Sequence, residues 1–112
     1  MTPLSLLQLK PMKPMTIDTF LASLSGADCP DLPPPLRALW FDAKGDWNAA
    51  HKCVDDKSDP DSMWVHAYLH RKEGDLSNAF YWYRRAGRER HKGALEQEWR
   101  EIAEALLSQA AP

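Results

Sequence analysis

The apolar positions between residues 59 and 87 predict two helices joined by a short turn at Gly74-Asp75. In residues 59–73 the apolar side chains recur around much of the helical cylinder, which indicates a helix with neighbours on more than one side. In residues 75–87 they recur at helical spacing. A short link between two helices produces an antiparallel hairpin. The apolar positions are Met63, Trp64, Val65, Ala67, Tyr68 and Leu69 in the first helix and Leu76, Ala79, Phe80, Tyr83 and Ala86 in the second.

The ends of this hairpin carry residues that start and stop helices. Asp59 can accept hydrogen bonds from the first free amides, and Pro60 suits a first helical turn. Gly74 ends the first helix, Asp75 caps the second, and Gly87 is a suitable stop residue. The turn chemistry therefore agrees with the apolar pattern.

Helical spacing also occurs in residues 16–24, 33–44, 46–54 and about 93–109. A run of three prolines opens the second of these stretches, because proline fits a first helical turn but not a helix interior. We therefore predict an all-α fold of five or six helices arranged in antiparallel hairpins.

A chain of 112 residues allows one domain. Residues 1–15 alternate Leu with Lys and Pro, and the leucines precede the lysines, which is the reverse of a secretory signal. We interpret residues 1–15 as a flexible leader and residues 16–112 as a single helical domain.

Charge and cysteine content narrow the classes of partner. The formal net charge of −2 indicates neither a nucleic-acid nor a membrane partner, and no apolar run approaches the length of a membrane span. Cys29 and Cys53 lie outside metal-binding or redox spacing. Two reduced thiols in a cytoplasmic protein are the simplest interpretation, and a disulfide is the alternative.

An internal repeat is visible across the middle of the chain. The Gly45-Asp46 pair recurs as Gly74-Asp75, and the same shift aligns small or apolar residues of the flanking helices. The aligned pairs are Ala38 with Ala67, Ala50 with Ala79, and Val54 with Tyr83. Small residues at matching positions allow two helices to approach closely.

This pattern resembles the tetratricopeptide and Sel1-like helical repeats, as two degenerate units within residues 34–87. The resemblance is carried by Ala67, Gly74, Asp75, Ala79, Tyr83 and Ala86 and by the string WYRRAG. It implies a right-handed stack of hairpins with the terminal helices as caps. The string WVHAYLHRKEGD also resembles that of an uncharacterised bacterial protein family, which would imply a fold and no chemistry.

A basic run near residue 87 provides the first candidate site. Arg84, Arg85, Arg88, Arg90 and Lys92 follow two aromatic residues and include one acidic residue among them. Guanidinium groups beside aromatic rings can hold anions. A solvated helix end, favoured by the helix dipole or paired with the acidic segment 55–61, is the structural alternative.

The first functional hypothesis is a non-enzymatic interaction module with no cofactor, which binds a peptide or protein that carries acidic or aromatic groups. Its predicted aromatic and basic groove is formed by Trp64, His66, His70, Tyr81, Trp82, Arg84, Arg85 and Arg88. A membrane partner is not expected, and a nucleic-acid partner is disfavoured. Homodimer formation would cover the excess aromatic surface.

The second hypothesis is a small-ligand or divalent-metal site at His66, His70 and Glu73, with an enzymatic role left open. Residues four apart share a helix face, and paired histidines at that spacing ligate zinc. His51 is a candidate to approach them. In the structural alternative, His70 packs or hydrogen-bonds near Ala79 and Tyr83. No nucleophile motif or phosphate loop accompanies the histidines.

Overall fold

The computed structural model describes residues 15–109, and within them it contains six α-helices and no strand. The helices are α1 (Ile17–Ser23), α2 (Pro34–Ala43), α3 (Trp47–Val54), α4 (Pro60–Lys72), α5 (Leu76–Ala86) and α6 (Leu95–Gln109). The predicted all-α fold is confirmed. The flexible leader predicted for residues 1–15 lies, apart from its last residue, outside the described residues.

The two Gly-Asp turns have the same backbone geometry. Gly45 and Gly74 have φ angles of 87° and 89°, a region in which a side chain is strained. The amides of Asp46 and Asp75 each donate at 2.9 Å to the carbonyl oxygen five positions earlier. Each aspartate side chain then accepts from the amide three residues later and caps the next helix. The predicted helix ends at these turns are confirmed.

Helix α4 lies at the centre of the molecule and packs against α2, α3, α5 and α6. Its buried residues surround the helix, as the broad apolar pattern predicts: Ser62, Met63, Val65, His66, Ala67, Tyr68, Leu69 and His70. Ala38, Ala50, Ala67 and Ala79 are fully buried. Small side chains therefore occupy positions where the helices pack.

Helix α6 is fixed to the rest of the fold by buried polar contacts. The carboxylate of Glu98, which is 2 % exposed, accepts from Arg71 Nη1 at 2.8 Å and from the Tyr83 hydroxyl. The Trp99 indole donates to the carbonyl oxygen of Leu39 at 3.0 Å. Within residues 15–109, none of the helices combines the length and the apolar character needed to cross a bilayer.

Candidate functional site

Three histidine rings meet where α3 packs against α4. His51 comes from α3, while His66 and His70 lie one turn apart on α4. One nitrogen from each ring falls within 4.8 Å of the other two. The Nε2 atoms of His51 and His66 are 3.0 Å apart. We call these three residues the histidine cluster.

Two tryptophans enclose the histidine cluster. The Trp47 ring is stacked on His51 with centroids 4.9 Å apart, and the Trp82 ring is stacked on His66 at 4.1 Å. His66 and His70 are 3 % and 6 % exposed, whereas the His51 side chain is 26 % exposed. Solvent therefore reaches the cluster at His51, and the other two rings are buried.

The hydrogen bonds of the cluster are incomplete. Nδ1 of His70 lies 2.7 Å from a carboxylate oxygen of Glu73, and Nδ1 of His51 lies 3.9 Å from one of Asp55. Nδ1 of His66 is buried and has no partner among the described residues. An unpaired polar atom in this position costs about 1–3 kcal/mol, so it calls for an explanation.

The environment keeps the central imidazole uncharged at neutral pH. Burial, together with smaller effects of the neighbouring His70 and His51, lowers the pKa of His66 from 6.5 to about 4. Burial also lowers the pKa of His51, with a further lowering from His70. Neutral imidazoles carry a lone pair, which is the form that binds a metal ion.

The cluster differs from the predicted metal site in its third member. The sequence predicts Glu73 as the third ligand, but its carboxylate lies beside Nδ1 of His70, and His51 completes the cluster instead. His70 makes its side-chain hydrogen bond with Glu73, and Ala67 packs against Ala79 and Tyr83. A second set, in which Asp75 joins His70 and Glu73, has both of its carboxylates exposed.

The predicted basic surface consists of arginines stacked on aromatic rings. The Arg88 guanidinium lies 3.7 Å from the ring centroid of Trp64, and that of Arg85 lies 5.0 Å from the centroid of Trp82. Arg85 also lies 5.6 Å from the centroid of Tyr81. These are the distances of cation–π interactions.

Two of the predicted groove residues line the same cavity, and the other six lie outside its lining. Arg84 and Arg88 line a cavity of about 550 Å³, whereas His66 and His70 are buried in the histidine cluster. The remaining residues of the predicted groove do not line this cavity. Its lining consists of Phe80, Tyr83, Arg84, Arg88, Glu89, Arg90 and Lys92.

Comparison of this chain with known protein families, with curated proteins and with solved structures finds no match.

Proposed function

We propose that the protein binds a divalent transition-metal ion, with Zn²⁺ as the best match, through His51, His66 and His70. The observation that carries the proposal is the convergence of one nitrogen from each of three imidazole rings, all within 4.8 Å of one another. Imidazole is a preferred ligand of zinc, copper, iron and nickel. Sets of three histidines are known among zinc sites.

The spacing of the nitrogens is compatible with tetrahedral coordination. Zinc binds imidazole nitrogen at about 2.0–2.1 Å, so two ligands of a tetrahedral ion stand about 3.3 Å apart. The 3.0 Å separation of the Nε2 atoms of His51 and His66 is close to this value. One nitrogen of His70 lies within 4.8 Å of a nitrogen of each of the other two rings.

The carboxylates around the cluster support a role as metal ligands. A ligating histidine usually donates its second N–H to a carboxylate or carbonyl oxygen, which fixes the tautomer and the ring orientation. The carboxylate of Glu73 lies within hydrogen-bond distance of Nδ1 of His70. The carboxylate of Asp55 lies 3.9 Å from Nδ1 of His51. In this arrangement Glu73 orients a ligand and does not contact the ion.

Three protein ligands leave a fourth position for water on a tetrahedral ion. His51 is the exposed member of the cluster, so we infer that this position opens to solvent on the α3 side.

The free thiols Cys29 and Cys53 support our further proposal that the protein works in the cytoplasm.

The test is a titration of the metal-free full chain with Zn²⁺ by isothermal calorimetry, repeated with Co²⁺ to record its absorption spectrum. We expect one ion per chain and a Co²⁺ spectrum of low coordination number. The variants His51→Gln and His70→Gln should each weaken binding at least about tenfold, and Glu73→Gln by about tenfold or more through loss of ligand orientation.

The matched control is His91→Gln, which changes the remaining histidine of the chain, located in a loop and hydrogen-bonded to Glu101 at 3.1 Å. This variant should bind Zn²⁺ as the parent does. Circular dichroism of every variant separates loss of metal from loss of fold. Absence of stoichiometric binding, or equal losses in His91→Gln and His51→Gln, would refute the proposal.

A further inference from the structure

A second region of the surface, formed by residues 84–92, carries four cations that make no ion pair with a carboxylate of residues 15–109. Arg84, Arg88, Arg90 and Lys92 are exposed around the 550 Å³ cavity, and Glu89 is the acidic residue in its lining. Among the described residues, no carboxylate oxygen lies within 4.0 Å of these four cations. By contrast, two basic side chains of α4 are paired with buried carboxylates: Arg71 with Glu98 and Lys72 with Asp42.

The sequence offers the acidic segment 55–61 as an internal partner for these cations, but two of its carboxylates contact other residues. Asp55 lies 3.9 Å from His51, and Asp56 lies 3.7 Å from Lys57. The basic cavity is therefore left available to a ligand from outside this part of the chain.

Stacking holds the guanidinium groups at this cavity in place. Arg90 lies 4.3 Å from the ring centroid of Phe80, and Arg88 lies 3.7 Å from that of Trp64. A guanidinium that stacks through its face keeps its in-plane N–H donors free, and these donors match the two oxygens of a carboxylate. The stacked side chain also loses less entropy when it binds, because its orientation is already restricted.

The aromatic rings themselves are poorly suited to stack nucleic-acid bases. A base needs an open aromatic face, and the arginines above already occupy one face of Phe80 and one of Trp64. The net charge of −2 also gives no overall attraction to a polyanion.

The basic surface is longer than a single small anion requires. An adjoining cavity of about 230 Å³ shares Phe80, Tyr83, Arg90 and Lys92 with the larger one. Two connected cavities lined by cations can receive successive side chains of an extended peptide, and one phosphate ion would fill neither.

We propose that this surface binds an acidic peptide segment of a partner protein, whose carboxylates pair with the stacked guanidiniums of Arg88 and Arg90. The proposal is independent of the histidine cluster, because none of the three histidines lines either cavity.

Fluorescence anisotropy of the full chain with a short labelled peptide of alternating Glu and Ser tests this proposal. We expect saturable binding that the matching Gln-Ser peptide does not reproduce. The variant Arg90→Lys keeps the positive charge but removes the planar guanidinium and its paired N–H donors. It should weaken peptide binding by about tenfold, because it loses about one charge-assisted hydrogen bond. The control Arg100→Gln alters an exposed ion pair with Glu104 on α6 and should bind as the parent does.

Three results would overturn the proposal. If Arg90→Lys binds the peptide as tightly as the parent, positive charge alone accounts for the binding and the planar guanidinium has no part in it. Tighter binding of a single-stranded oligonucleotide of the same charge would assign the surface to nucleic acid. Displacement of the peptide by inorganic phosphate at an equal concentration would assign it to a small oxyanion.

Discussion

The lowered pKa of His66 makes the stability of the metal-free protein depend on pH in a defined window. The unfolded chain takes up a proton on this residue near pH 6.5, and the folded protein does so only near pH 4. Since the folded-state pKa is the lower one, protonation favours unfolding. The contribution of His66 is therefore fully present above about pH 6.5, is lost progressively as the pH falls towards 4, and changes no further below that value.

The size of this effect follows from the two pKa values. A drop from 6.5 to about 4 corresponds to a largest loss of about 3 kcal/mol. The 3 % exposure of the residue means that solvent screening reduces this value little. Against a typical total stability of about 5–15 kcal/mol, the loss is readily measured.

Urea unfolding followed by tryptophan fluorescence, with a chelator present, at about pH 7.5 and pH 4.5 provides the assay. The variant His66→Phe keeps an aromatic ring beside Trp82 and removes the titrating group, so the difference in pH dependence between parent and variant isolates His66. We expect the parent to lose about 2–3 kcal/mol more than His66→Phe between these pH values. The pKa of His51 is also lowered, but His51 is present in both proteins, so its contribution to the pH dependence cancels in part in the difference.

Parallel pH dependence of the parent and His66→Phe would refute this reasoning, because it would show that His66 titrates alike in the folded and unfolded states. A native-like circular dichroism spectrum at pH 7.5 must accompany the comparison. The partial exposure of the His51 side chain allows water to replace the hydrogen bond that the variant removes.

Three further predictions concern residues that stabilise the helices around the site. Glu98→Gln should lower the free energy of unfolding by about 3 kcal/mol, because it removes the buried carboxylate that pairs with the partly buried guanidinium of Arg71. Glu104→Gln at an exposed ion pair should change it by less than about 1 kcal/mol. Gly74→Ala should cost about 1–2 kcal/mol because φ is 89° there, and Gly26→Ala, at a glycine without positive φ, should cost less. Asp75→Ala should cost about 1 kcal/mol by removing the cap of α5. Urea titrations at neutral pH measure the free energy of unfolding of all these variants. A loss in Glu104→Gln equal to that in Glu98→Gln, or in Gly26→Ala equal to that in Gly74→Ala, would contradict the corresponding prediction.

The helices and their ends could be predicted from the sequence because local chemistry determines them. Asp59, Asp75 and Gly87 act at helix ends through hydrogen bonds or backbone angles that span only a few residues. The breadth of the apolar pattern in residues 59–73 likewise predicts the central position of α4. The Sel1-like resemblance remains a prediction, although the two Gly-Asp turns share one geometry.

The basic surface was predicted in composition but not in arrangement. The run from Arg84 to Lys92 is visible in the sequence, whereas the ring that each guanidinium covers depends on the packing of α4 against α5 and on the chain after α5. Arg88 reaches Trp64 on the neighbouring helix, and no local spacing rule gives such a contact.

The sequence by itself determined that His66 and His70 share one face of a helix, because 3.6 residues complete a turn. Only the tertiary structure decided that His51 joins them and that Glu73 lies beside Nδ1 of His70. The helical period determines the directions in which the side chains of one helix point. The distance between side chains of two helices depends instead on how α3 packs on α4. The proposed metal site depends on that packing, through the 3.0 Å separation of His51 and His66.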